Sequence, residues 1–279
     1  MVLRILTMKI LFLAFVACFP GISFAEETTQ RERTTCEGEA FTFWLWSFLA
    51  GASNPDQVLS IPNTELITFL TNDGRTLKGF RLKSDHMPTK GYVLVIQGNG
   101  WLASQLAPYM IPLRNIGLDV YIYDFRGYGL SKPGFRRFAA MIEDYQEIID
   151  ELNASYEYKF IYGFSFGGVV LLNALNDYSS FDLVVIDSSP STLNEFKCKE
   201  NYSPVDKLPD NCSNFYFISG TKDNVIEQKK MSKLLEKGQG CGALQDINKP
   251  RGHPFQEESN DIRRKRVYEL SVLFQEKMK

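Results

Sequence analysis

From about residue 66 onward the chain alternates between short β-rich runs and longer stretches of helical periodicity. Residues 66–71 and 76–82 are rich in β-branched, aliphatic and aromatic side chains, and they flank Asn72-Asp73-Gly74, a strong hairpin turn. The next runs, 92–96, 119–123, 159–162, 183–186 and 215–218, are apolar at almost every position. Such runs suit central parallel strands covered by helices on both sides. Between them, Phe138, Met141, Ile142, Tyr145, Ile148, Ile149 and Leu152 recur at helical spacing, with Glu143, Asp144, Glu147 and Glu151 on the other face. Similar patterns cover 169–176, 227–237 and 258–279. The segment after Gly100 is also expected to be helical, but shortened or kinked by Pro108 and Pro112. A hairpin followed by βαβ repeats predicts an α/β domain over 61–279: a mostly parallel central sheet with an N-terminal antiparallel hairpin and helices on both faces.

Two stretches lie outside this pattern. Arg4 and Lys9 precede an apolar run over 10–18 that is too short to span a bilayer. Pro20-Gly21 follows, then Ser23 and Ala25 at the small-residue positions of a cleavage point before Glu26. That is the layout of a secretory signal peptide over 1–25, and it implies export to a periplasm or the cell exterior. Met8 is an alternative start, and a lipoprotein anchored at Cys18 is the competing reading. The remaining stretch, the N-terminal extension 26–60, carries two of the three Trp within the segment 41–49, which opens on Phe41 and closes on Leu49. Two readings stay open there: a helix docked on the domain by its aromatic face, or a lid or peripheral membrane contact beside an active site.

Composition narrows the class. With 44% hydrophobic and 23% charged residues, the chain can build one large core. A net charge of −2 without a basic stripe excludes nucleic acid as an expected partner, and no zinc-type Cys/His spacing is present. Once Cys18 is removed with the leader, Cys36, Cys198, Cys212 and Cys241 remain, an even number suited to an oxidising compartment. Of three possible connectivities, Cys198–Cys212 with Cys36–Cys241 is the expected one. In a reducing cytoplasm the same residues would be free thiols.

The chemistry centres on Gly163-Phe164-Ser165-Phe166-Gly167, between an expected strand and an expected helix. This is the G-x-S-x-G nucleophile elbow in its proper context. The turn is sharp enough that glycine is needed on both sides of it, and it lifts the serine hydroxyl to a helix N-terminus where N–H groups can receive an oxyanion. By composition the pattern arises by chance about 0.1 times in a chain of this length, so the flanking strand and helix carry much of the inference. A serine hydroxyl needs a base. The chain has two histidines: His86 lies in a polar loop before the elbow, and His253 in a Pro/Gly-rich loop after the last expected strand.

The chain resembles the α/β-hydrolase superfamily over about 64–279. Val95-Ile-Gln-Gly-Asn-Gly100 is similar to the H-G-x-G oxyanion loop after the third strand, with Gln97 where many relatives have histidine. Tyr123-Asp-Phe-Arg-Gly-Tyr-Gly-Leu-Ser131 is similar to D-x-R-G-x-G-x-S. Ile218-Ser-Gly-Thr-Lys-Asp223 resembles the acid turn, and Arg251-Gly-His253 the C-terminal histidine loop. The resemblance implies Ser165 as nucleophile, His253 as base and Asp223 as the acid that orients it, with Asp187 the competing acid. It implies an oxyanion hole from the backbone N–H of Phe166 and Asn99. Asp124 is expected to pair with Arg126. Family caps follow the sixth strand, and here 188–214 is short, which implies a minimal cap and an open site. Trp101, Leu102 and Phe164, beside Phe166, would supply apolar walls suited to acyl chains. The expected activity is hydrolysis of a small-molecule or lipid ester through an acyl-enzyme, with no metal or organic cofactor. A serine peptidase of the same fold is the alternative within the enzyme class, and a non-catalytic binding protein the alternative outside it.

Overall fold

The computed structural model describes residues 35–193, 197–198 and 200–279. The expected signal peptide, 1–25, and the extension as far as residue 34 lie outside the described residues.

One sheet of eight strands organises the domain. The strands are β1 Thr64–Leu70, β2 Thr76–Leu82, β3 Gly91–Ile96, β4 Leu118–Tyr123, β5 Tyr158–Phe164, β6 Leu183–Asp187, β7 Phe215–Ile218 and β8 Leu244–Asp246. Their spatial order is β1-β2-β4-β3-β5-β6-β7-β8. The hairpin forms as expected, with the Thr71 N–H donating to the Arg75 carbonyl across the turn at 2.8 Å. β2 also pairs antiparallel with β4, and every later ladder is parallel. β3 and β4 are buried at all six positions, which is why their sequences show no alternation. The register sets Ile96 beside Gly163, Phe164 beside Asp187, and Asp187 beside Ile218. The C-terminal ends of β3, β5, β6 and β7 therefore come level, at the edge where ligands bind in open α/β sheets.

Periodicity does not predict β8. It has three residues, none fully buried, and a pairing of Ile218 with Asp246 that only tertiary packing supplies.

The helices are α1 Glu39–Leu49, α2 Pro55–Leu59, α3 Ala103–Leu106, α4 Ile111–Asn115, α5 Phe138–Asn153, α6 Phe166–Ala174, α7 Gln228–Gly240 and α8 Asn260–Lys277. The break expected after Gly100 takes the form of α3 and α4, joined by a 3₁₀ turn that contains Pro108. Strand alternation divides the core into two layers. Tyr92, Leu94 and Ile96 pack with Tyr145 and Ile149 of α5 on one face; Val93 and Val95 pack with Leu113, Val267 and Phe274 on the other. Phe274 stacks on Phe160 with ring centroids 4.8 Å apart, and truncating so buried a ring costs about 3–5 kcal/mol. Between β6 and β7, the described part of 188–214 holds a single 3₁₀ turn, Pro204–Lys207, so the cap is minimal.

The cysteines pair otherwise than the sequence reading expects. The bridges are Cys36–Cys198 and Cys212–Cys241. Backbone contacts decide this: Cys36 and Cys198 form an isolated antiparallel bridge, and the Cys212 N–H donates to the Cys241 carbonyl at 2.7 Å. Two disulfides suit an oxidising, exported setting. Among the described residues no helix is long and apolar enough to cross a membrane.

Candidate active site

Ser165 caps β5 and opens α6 with φ 52° and ψ −123°, a left-handed conformation that a non-glycine residue adopts only when its surroundings enforce it. The glycines make the turn possible. A Cβ on Gly167 would lie 2.0 Å from the Ile96 carbonyl oxygen, and one on Gly163 would lie 2.9 Å from Leu171. The strained residue is held from both sides: its N–H donates to the Asp187 carbonyl at 2.8 Å, and its own carbonyl accepts from Ser189 Oγ at 2.8 Å.

His253 is almost fully buried, and its Nδ1 lies 2.9 Å from Asp223 Oδ2. Burial pushes the Asp223 carboxyl up. The hydrogen bond and charge of His253 outweigh that, helped by the N–H groups of Ile226 and Val225, each 2.9 Å from Oδ1, so the group sits below its ordinary value. An ionised carboxylate only accepts, so Nδ1 is the side of the ring that donates to Asp223. Ser165, His253, Asn99, Phe166 and Trp101 line one cavity of about 440 Å³. Among the described residues no hydrogen bond joins Ser165 Oγ to His253; such bonds often tighten only around substrate. His86, the other histidine, is exposed and bonds the Asn115 carbonyl at 2.9 Å.

The loop 97–100 approaches the serine closely. A Cβ on Gly98 would lie 3.1 Å from Ser165 Cβ. Asn99 is fixed by Tyr128, whose hydroxyl donates to Asn99 Oδ1 at 2.7 Å. Gln97, in the place of the more usual histidine, is fully buried and donates from Nε2 to the Tyr123 carbonyl at 2.7 Å.

One expected carboxylate pairing changes. Asp124 does not pair with Arg126. It accepts from the Ala103 N–H at 2.6 Å and the Leu130 N–H at 2.8 Å, holding the start of α3 to the 124–131 loop. Burial raises its carboxyl, with these backbone bonds opposing. Arg126 instead reaches Asp73 and Asp144, because the turn and α5 bring two acids to its buried guanidinium. Asp187, the competing acid, is engaged by Arg266 at 2.6 Å and by the Tyr162 hydroxyl at 2.9 Å.

The pocket walls also differ from expectation. Trp101 lines the cavity, whereas Leu102 and Phe164 do not. Leu102 is fully buried at the start of α3, and Phe164 faces inward against Phe255 with centroids 4.9 Å apart. Their places are taken by Phe43 and Trp46 of α1 together with Phe138. Phe43 and Phe138 pack on Phe166 at 5.3 and 5.4 Å. Trp46 lies against Gly100, and Ser47 Oγ donates to the Gly127 carbonyl at 3.2 Å. α1 leaves Phe41, Trp44, Phe48 and Leu49 exposed, and Trp46, at the cavity's edge, is itself 40% exposed. The aromatic content of 41–49 hinted at this helix, but not at which rings line the cavity.

Two further residues hold the histidine loop, and neither has a motif of its own. Arg266 donates to Glu257 Oε1 from two nitrogens and to the Gly252 carbonyl at 2.7 Å. Phe255 is fully buried with φ 62° and packs on Trp101, Tyr109 and Phe164. Among the described residues no group of His, Cys, Asp and Glu side chains is placed to hold a metal ion.

The fold has counterparts. Residues 87–208 match a family model described as serine aminopeptidase, S33. The uncharacterised protein YfhR of Escherichia coli K12 is 25% identical over 208 residues, 64% of this chain and 71% of its own. The esterase Pf2001 of Pyrococcus furiosus aligns with a TM-score of 0.61 at 16% identity, over 82% of this chain and 95% of that one. The esterase domain of a Rhodothermus marinus protein aligns at 0.59 and 15%, over 76% and 98%. The chain has the α/β-hydrolase fold, and its central part is similar to a hydrolase family.

Proposed function

We propose that this chain is a serine hydrolase that cleaves carboxylic esters, lipid acyl esters or thioesters among them, through an acyl-enzyme. Ser165 attacks the carbonyl as His253 Nε2 takes its proton, and Asp223 holds the imidazole and stabilises its charged form. The oxyanion rests on the backbone N–H groups of Phe166 and Asn99. His253 then protonates the leaving group, and water repeats the sequence in reverse. The observation that carries this reading is the strained Ser165 sharing one cavity with a buried His253 already bonded to Asp223.

A peptidase is the second reading, favoured by the description of the matching family model. An aminopeptidase must bind a substrate ammonium, which calls for a free carboxylate. The acidic side chain lining the cavity is Glu39, and its oxygens accept from Thr35 and Cys36 with Arg137 at 3.8 Å. That commitment favours the ester.

Labelling by a fluorophosphonate tests the reading. Wild type should label, Ser165→Ala should not, and Asp223→Asn and His253→Ala should label far more slowly. A folded wild type that labels no better than Ser165→Ala would instead indicate a binding protein on a hydrolase fold. Parallel assays with amino-acid 4-nitroanilides and 4-nitrophenyl esters separate peptidase from esterase. Two further parts of the proposal are export with cleavage after Ala25, checked by N-terminal sequencing of the secreted protein, and contact of the outer α1 aromatics with a lipid surface. α1 also walls the cavity, so such a surface would present acyl esters at its mouth. Liposome co-sedimentation should fall when Trp44 and Phe48 are replaced by Ser.

A further inference from the structure

The apolar walls of the cavity do not account for its rim. Lys229, Lys230 and Lys233 line the cavity from the first two turns of α7. Residues three and four apart share a helix face, so Lys233 stands beside both other lysines. This placement is unfavourable for α7 itself, because like charges at that spacing repel and cations near a helix N-terminus oppose its dipole. The neighbouring acids offset little of it. Glu227 pairs with Lys229 at 2.7 Å, and Glu39 is committed to Thr35, Cys36 and Arg137. Lys230 donates to the Val225 carbonyl at 3.3 Å, and Lys233 makes no ion pair with a described residue. Set against Glu227 and against Glu236, three residues on from Lys233, the three lysines leave a positive surplus at the mouth of an apolar cavity.

We propose that the site takes acyl esters that carry an anionic group, a phosphate or a carboxylate. The charged group sits at Lys229, Lys230 and Lys233, while Phe43, Phe138 and Phe166 hold the acyl chain. This rests on the reading of Ser165 as nucleophile. A cavity of about 440 Å³ has room for a short acyl chain and a charged head. Charge recognition at an exposed rim steers and orients substrate, so its effect belongs in KM.

Two matched pairs of water-soluble esters test the proposal with the full chain. 1-Hexanoylglycerol 3-phosphate against 1-hexanoylglycerol puts the charge on the alcohol side. Mono-4-nitrophenyl adipate against 4-nitrophenyl hexanoate puts it on the acyl side. In at least one pair the wild type should prefer the anionic ester in kcat/KM, and that pair identifies where the charge belongs. The preference should fall about tenfold in K229Q/K230Q/K233Q, through KM, and should fall again when salt screens the rim. Preference for the neutral ester in both pairs, or a preference that the variant keeps, overturns the proposal. Fluorophosphonate labelling of both proteins separates the two ways of failing. Labelling without a lysine-dependent preference sinks the lysine assignment alone; an unlabelled wild type sinks the hydrolase reading with it.

Discussion

Arg266→Met removes the guanidinium that ties β6 to the histidine loop while keeping most of the side-chain volume. Arg266 is 2% exposed and donates to Asp187 at 2.6 Å, to Glu257 at 2.9 and 2.7 Å and to the Gly252 carbonyl at 2.7 Å. Leaving one member of a buried ion pair without its partner costs about 3–5 kcal/mol. Proton uptake gives the same scale. Losing Arg266 leaves Asp187 and Glu257 together without a counter-ion; protonating one of the two restores the original net charge, and for an acid of ordinary pKa about 3.9 at pH 7 this costs about 1.36 × 3.1, or about 4 kcal/mol. At pH 5 the same arithmetic gives about 1.5 kcal/mol. In the variant the orphaned acid has a raised folded-state value, so stability is retained at low pH and lost as pH rises toward neutrality. For a domain of this size each kcal/mol lowers Tm by about 2–4 °C, which predicts a drop of about 8–16 °C at pH 7 and about 3–6 °C at pH 5. Calorimetry of wild type and variant at both pH values measures it. A drop below about 3 °C at pH 7, or the same drop at both pH values, would refute the reasoning.

Other expectations follow from single contacts. Asp223→Asn should reverse the hydrogen-bonding sense at His253 Nδ1 and slow fluorophosphonate labelling by about 10³–10⁴. Because the Asp223 carboxyl is held below its ordinary value of 3.8, its contribution to stability is present above that pH and lost as pH falls through the lower folded-state value. Urea melts between pH 2 and 5 should therefore show a flatter acid limb in Asp223→Asn. Tyr128→Phe frees Asn99 and should slow labelling by about 2- to 10-fold, the worth of one hydrogen bond, with a similar loss in urea stability. Replacing Cys212 and Cys241, 29 residues apart, by Ala should cost about 3.5 kcal/mol in urea melts. Removing Cys36–Cys198, which closes 162 residues, has an entropic limit of about 5 kcal/mol and should loosen α1 first, read as faster proteolysis ahead of global unfolding.

Much of the site is legible in the sequence because it is local. The strand, the sharp turn and the helix around Ser165 lie in one continuous segment, and the glycines on each side are demanded by contacts made within that turn and with the neighbouring β3. Leu102 and Phe164 show the limit of such reading. They are next to the site along the chain, yet the strand's alternation and the start of α3 turn both side chains into the core. Phe43 and Trp46 lie far from Ser165 in sequence, and no periodicity relates them to the cavity they wall.

What the sequence by itself determined was the α/β class, the hairpin, the central strands, the elbow and the identities of Ser165, Asp223 and His253 as the residues to watch. The class, the strands and the elbow with Ser165 rest on sterics or periodicity acting over a few residues, His253 on the scarcity of histidine, and Asp223 on the resemblance of its turn to the family's acid turn. Tertiary structure alone decided the disulfide partners, β8, the carboxylates that hold Arg126, the α1 rings that line the cavity and the Arg266 anchor. Arg266 meets Asp187 across 79 residues and Cys36 meets Cys198 across 162. Several arrangements of four cysteines or of many buried acids satisfy the same local pattern. Only the closure of the whole chain around its sheet brings one pair within bonding distance and takes the others out of reach.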